Sequence, residues 1–87
     1  MSLPFEEEKL SDGNYIRTFY QNTDSGEFQW HRDREDRIIE PIFETDWKFQ
    51  IDNELPVPIY GKIFIPKGVY HRIIKGSGDL KIKLTKL

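Results

Sequence analysis

Apolar and polar residues alternate with a period of two along most of this chain, and turn residues interrupt the alternation every few positions. The cleanest case is Trp47 to Asp52: Trp47, Phe49 and Ile51 fall on one face, and Lys48, Gln50 and Asp52 on the other. Asn14 to Tyr20, rich in aromatic and β-branched residues, predicts another strand. So do Glu27 to Asp33, Arg37 to Glu44, a segment from Ile59–Tyr60 through Lys62–Ile65, Val69 to Lys75, and Leu80 to Leu84. Pro41 inside the third of these predicts an edge strand or a bulge, because proline has no N–H for a ladder. Gly76-Ser77-Gly78-Asp79 reads as a tight hairpin turn, and Ser11-Asp12-Gly13 as another turn. The pattern predicts an all-β protein, a small barrel or jelly roll of seven to eight short strands. No long helix and no internal repeat is expected. Residues 1–13 read as an N-terminal arm, with Glu6, Glu7 and Glu8 beside Phe5 and Leu10, and residues 14–87 as the barrel domain.

Length narrows the expectation. Eighty-seven residues make one domain, whose folding buries only about 60–65% of the unfolded surface. Two tryptophans, four tyrosines and six phenylalanines enlarge that thin core. A homodimer would enlarge it further. Phe28 and Trp30 lie opposite the polar face of their predicted strand, so they or the arm are the expected interface.

Charge and cysteine content exclude some classes. The net charge of −2, from 13 basic and 15 acidic residues, offers no footprint for nucleic acid. It also argues against a small barrel that binds single strands through a basic aromatic groove. The C-terminal lysines 75, 81, 83 and 86 read as the outer face of an edge strand. No cysteine is present, so neither disulfides nor thiolate-bound metal staple the fold, and a reducing, cytoplasmic setting fits. No apolar run approaches a membrane span.

The candidate chemistry centres on two histidines. In Gly61-Lys62-Ile63-Phe64-Ile65-Pro66-Lys67-Gly68-Val69-Tyr70-His71, an apolar run ends in a Pro-x-Gly turn. His71 then shares a face with Val69 and Ile73, both apolar. In Gln29-Trp30-His31-Arg32-Asp33, alternation sets Gln29, His31 and Asp33 on one face. Two imidazoles and one carboxylate with open positions match the donor set of non-haem iron(II) centres.

These two pieces resemble the two motifs of the cupin (RmlC-like) superfamily. Gly61, Pro66, Gly68 and His71 match the second motif, with a spacer one residue shorter than usual. His31 matches the first histidine of the first motif, but Asp33 replaces the second. Arg37 stands where a glutamate belongs, and Glu44 or Thr45 where a glycine belongs. The resemblance covers roughly Glu27 to Leu84. It implies a divalent metal (iron, manganese, nickel or zinc) on His31, Asp33 and His71, and leaves open whether the protein is a metal-dependent enzyme.

Arg37 poses an alternative. Against Asp33 it would form a buried ion pair, the metal would give way to an anionic ligand or to none, and Asp33→Ala would cost about 3–5 kcal/mol. Facing the barrel mouth, Arg37 would grip a carboxylate or phosphate, or an anionic or sugar-like ligand, together with Gln29 and Tyr70. A third expectation is a non-catalytic binding or assembly module acting through its dimer surface. No nucleophile elbow or phosphate loop is present.

Overall fold

The inner strands bury alternate side chains, and two antiparallel sheets form so that those faces meet. The computed structural model describes residues 5–22 and 28–87. Eight strands form among the described residues: β1 (Phe5–Lys9), β2 (Tyr15–Phe19), β3 (Arg37–Pro41), β4 (Lys48–Ile51), β5 (Val57–Pro58), β6 (Ile63–Ile65), β7 (His71–Ile74) and β8 (Leu80–Lys86). One sheet has the order β1-β2-β8-β3-β6 and the other β5-β4-β7. All pairings are antiparallel. No α-helix occurs among the described residues. The all-β expectation holds.

The core lies between the sheets. Phe19, Ile39, Trp47, Phe49, Ile65, Ile73, Leu80, Ile82 and Leu84 are buried there. β8 shows how period two places a strand: Leu80, Ile82 and Leu84 point inward, and Lys81 and Lys83 do not. Adjacent residues in the strand therefore serve opposite surfaces.

Several expectations are corrected. Residues 5–9 of the expected arm are strand β1, paired with β2 from Phe5↔Phe19 to Lys9↔Tyr15. Alternation had been obscured there by the run Glu6-Glu7-Glu8. Because β1 joins the sheet, residue 13 is a hairpin turn and not a domain boundary; Gly13 takes a φ of 87° there. Strand β8 is central, between β2 and β3, and not an edge. Pro41 closes β3 beyond the reach of β6, which pairs only with Arg37 to Ile39.

The segment Gly76–Asp79 is not a hairpin turn, since β7 and β8 lie in different sheets. It is held to the β3–β4 connection instead. Ser77 donates from its N–H to Asp46 Oδ1 at 2.8 Å and from its hydroxyl to Asp46 Oδ2 at 2.7 Å. Trp47 Nε1 donates to the Gly78 carbonyl at 3.2 Å. A Cβ on Gly76 would fall 2.3 Å from Asp46 Oδ1 and 2.7 Å from the Trp47 nitrogen, so only glycine fits.

The expected strand over Glu27–Asp33 does not form in its described part. Glu27 lies outside the described residues, and from Phe28 to Asp33 the chain makes only one bridge, at His31. Strict alternation therefore does not govern this stretch. Phe28 packs inward between Phe19 and Trp47, with ring centroids 6.1 and 5.7 Å away, so the protein's own core covers it. Trp30 remains 42% exposed, under the Arg72 guanidinium.

Candidate metal centre

The Pro66–Gly68 turn organises the site. Gly68 adopts a φ of 76°, in the region that favours glycine, and turns the chain from β6 toward β7. Its N–H donates to the Asp33 carbonyl at 2.9 Å, and the Lys67 N–H to Asp36 Oδ1 at 2.8 Å. The turn thus anchors the loop that carries Asp33. His71 opens β7, paired with Ile51 of β4. On its other side it exchanges two backbone hydrogen bonds with His31, of 3.0 and 2.8 Å. The two histidines are direct cross-strand neighbours, and their rings meet edge to face with centroids 4.3 Å apart.

Each imidazole is oriented in the same way. His31 Nδ1 lies 2.8 Å from the Gln29 carbonyl, and His71 Nδ1 lies 2.8 Å from the Val69 carbonyl. A carbonyl only accepts, so each Nδ1 carries the proton and Nε2 is left as the basic nitrogen. Metal-ligating histidines are commonly fixed by such a second hydrogen bond. One donor atom from each of His31, Asp33 and His71 lies within 4.8 Å of the others. The structure therefore brings the three residues together.

Arg37 does lie against Asp33. Its Nη1 is 3.3 Å from Asp33 Oδ1, with side chains 13% and 9% exposed. The ion pair and the metal do not exclude each other, because the two oxygens of the Asp33 carboxylate face different partners. Asp33 Oδ2 is buried, accepts no hydrogen bond, and faces His71 Nε2 at 3.2 Å. Arg37 makes its shorter contacts with Glu35 Oε1, at 3.0 Å from Nε and 2.9 Å from Nη2. Glu35 thus neutralises Arg37, and the Asp33–Glu35–Arg37 group keeps one excess negative charge.

This arrangement fits a cation. With the proton on His71 Nδ1, Nε2 and Asp33 Oδ2 are two acceptors face to face, which repel unless a proton or a cation lies between them. Two ligands about 2.1 Å from one ion are at most about 4.2 Å apart, so donors spread within 4.8 Å must close by about half an ångström.

Two other candidate residues are not brought into the barrel. The Gln29 side chain is exposed, and only its backbone carbonyl serves the site. Tyr70 is 44% exposed beneath Arg32 on the outside, because it lies between two inward positions. Arg17 was missed. It is 8% exposed, paired with Glu7, stacked on Phe5, and lines the interior cavity with Asp33, Arg37 and His71. The signal was its place between Tyr15 and Phe19 on the inward face of β2. That cavity holds about 20 Å³, room for about one water and not for a sugar.

No protein-family model matches the chain, and no curated protein matches its sequence. Solved structures do resemble it. A cupin domain from Bordetella pertussis Tohama I superposes with a TM-score of 0.62 over 100% of this chain and 98% of that one, at 14% identity. A protein of Neisseria meningitidis gives a TM-score of 0.61 at 19% identity, covering 95% of this chain and 81% of the other. HppE, solved in its Fe(II) form with an alternative substrate, gives 0.59 at 13% identity, and the match spans 100% of this chain but 59% of HppE. The chain has a cupin-like fold.

Proposed function

We propose that this protein is a small cupin-like metal-binding protein, holding one divalent cation on His31, Asp33 and His71. The observation that carries the reading is the buried Asp33 Oδ2 set against the basic nitrogen of His71, in a cluster with one excess negative charge. The carbonyls of Gln29 and Val69 orient the imidazoles, and Arg37 orients the carboxylate through its other oxygen. Iron, manganese, nickel and zinc all suit two nitrogens and one oxygen. A bound ion would supply Lewis acidity and lower the pKa of a water molecule bound to it. The small cavity favours water or another very small molecule as the co-ligand, over a sugar or a phosphorylated metabolite. Elemental analysis of protein purified without a metal-affinity column tests this: one metal per chain is expected, lost in His71→Ala with the fold retained. Metal-free wild-type protein that takes up none of the four ions would end the reading.

A homodimer in the cytoplasm is part of the same proposal. Support comes from the half-exposed Trp30 and from a core limited by chain length. Sedimentation equilibrium giving the monomer mass at high micromolar concentration would remove the dimer.

A further inference from the structure

The end of the barrel opposite the histidines carries a second feature. β3 runs from Arg37 at the histidine end to Pro41, about 13 Å away along the strand, and there an open groove of about 830 Å³ begins. That volume lies within the range of ligand clefts, roughly 300–1,000 Å³. Its walls are the β3–β4 connection, the end of β5 and the segment that follows, and they carry the apolar side chains of Ile42, Phe43, Pro58 and Tyr60. Three of these side chains stand in solvent, Ile42 at 45%, Phe43 at 59% and Tyr60 at 87% exposure. An aromatic at 87% exposure gains nothing from the protein's own core.

The charge at the groove has one sign. Glu40, Glu44 and Asp46 line it, and none of the described lining residues is cationic. Asp46 is committed to Ser77. Glu40 and Glu44 have no ion-pair partner among the described residues. We infer that this groove binds an extended peptide segment of another protein in which lysine or arginine alternates with apolar residues. An apolar side chain of such a segment fills the space between Phe43 and Tyr60. A neighbouring lysine lays its methylene stem on a ring and its ammonium beside Glu40 or Glu44. The open shape and the volume of the groove suit a segment of chain better than a single small amine.

The test uses the full chain, labelled with nitrogen-15 and titrated with the capped peptide Lys-Leu-Lys-Phe-Lys or its control Glu-Leu-Glu-Phe-Glu. Chemical-shift changes are expected at residues 40–46 and 58–61 with the basic peptide only. Tyr60→Ser and Glu44→Lys should each weaken binding by about tenfold, a change of about 1.4 kcal/mol. Both positions are exposed, so the variants are expected to fold, and an unchanged amide spectrum elsewhere checks that they do. Four results would overturn the inference: no shifts at millimolar peptide, shifts mapping elsewhere, an equal response to the acidic peptide, or an equal response to n-butylammonium. Self-association abolished by Tyr60→Ser would also overturn it, since the occupant would then be a second copy of this chain.

Discussion

Replacing Asp33 by asparagine separates the structural role of its charge from its role toward a cation. The substitution keeps size and shape and removes the negative charge. In metal-free protein the cost is the weakened contact with Arg37, at 3.3 Å, and with His71, at 3.2 Å. Hydrogen bonds to charged groups contribute about 1.5–3 kcal/mol. The figure of about 3–5 kcal/mol for a broken buried pair assumes that the surviving charge is orphaned. Arg37 is not orphaned, because Glu35 holds it through two nitrogens. The expected loss is therefore about 1–3 kcal/mol. Metal adds a second quantity. An ion at 100 times its dissociation constant stabilises the folded state by about 2.7 kcal/mol. For a domain of this size that raises Tm by roughly 10–20 °C. Thermal unfolding with EDTA, and then with Mn(II), Fe(II), Ni(II) or Zn(II) in excess, measures both effects. Wild-type protein should shift upward with at least one ion, and Asp33→Asn should not. An asparagine variant that keeps the full shift would refute the assignment of Asp33 as a ligand.

Three further outcomes follow from the packing. Gly76→Ala should lower stability by about 1–3 kcal/mol in urea unfolding, since the new methyl group meets the Trp47 backbone; an unchanged midpoint would show that the connection is loose. Trp47→Ala should cost about 3–5 kcal/mol, because its side chain is fully buried, and a loss below 1 kcal/mol would contradict the packing. Hydrogen bonds from the Ser77 hydroxyl and N–H hold the Asp46 carboxyl below its ordinary value of 3.8. A lowered folded-state pKa stabilises above the unfolded value and loses that contribution as pH falls through the folded one. Asp46→Asn should therefore flatten the decline of stability below about pH 4, and an unaltered acid limb would deny the link.

The fold was legible because its signals are local. Alternation at Trp47, Phe49 and Ile51 and at Leu80, Ile82 and Leu84 needs only period two and an apolar side. The partners of each strand were less legible. The stretch Gly76–Asp79 has hairpin chemistry, yet a carboxylate thirty positions upstream in the chain diverts it into a crossing between sheets. Glu6–Glu8 conceal a strand because edge strands tolerate charge on both faces. At the site, Pro66, Gly68 and His71 could be read directly, since proline and glycine have few conformational alternatives. Alternation is not what sets His31 beside Asp33: a single bridge and the Gly68 hydrogen bond bring them in. Arg17 is harder to see because the acid that balances its buried charge, Glu7, lies across the sheet on strand β1, whose alternation the sequence conceals.

The position of β8 has a consequence for how the protein is made. The strand that joins β2 to β3 is the last of the eight to leave the ribosome. Until residue 86 has emerged, the β1–β2 hairpin and the β3–β6 pair have no shared strand. Closure of the larger sheet therefore waits for this segment, and it pairs residues as far apart as Tyr15 and Leu84. Such late, non-local pairing folds slowly and leaves intermediates open to aggregation. The alternating lysines of β8 carry positive charge on the strand that arrives last, and like-charge repulsion discourages two unfinished chains from pairing there before the sheet closes.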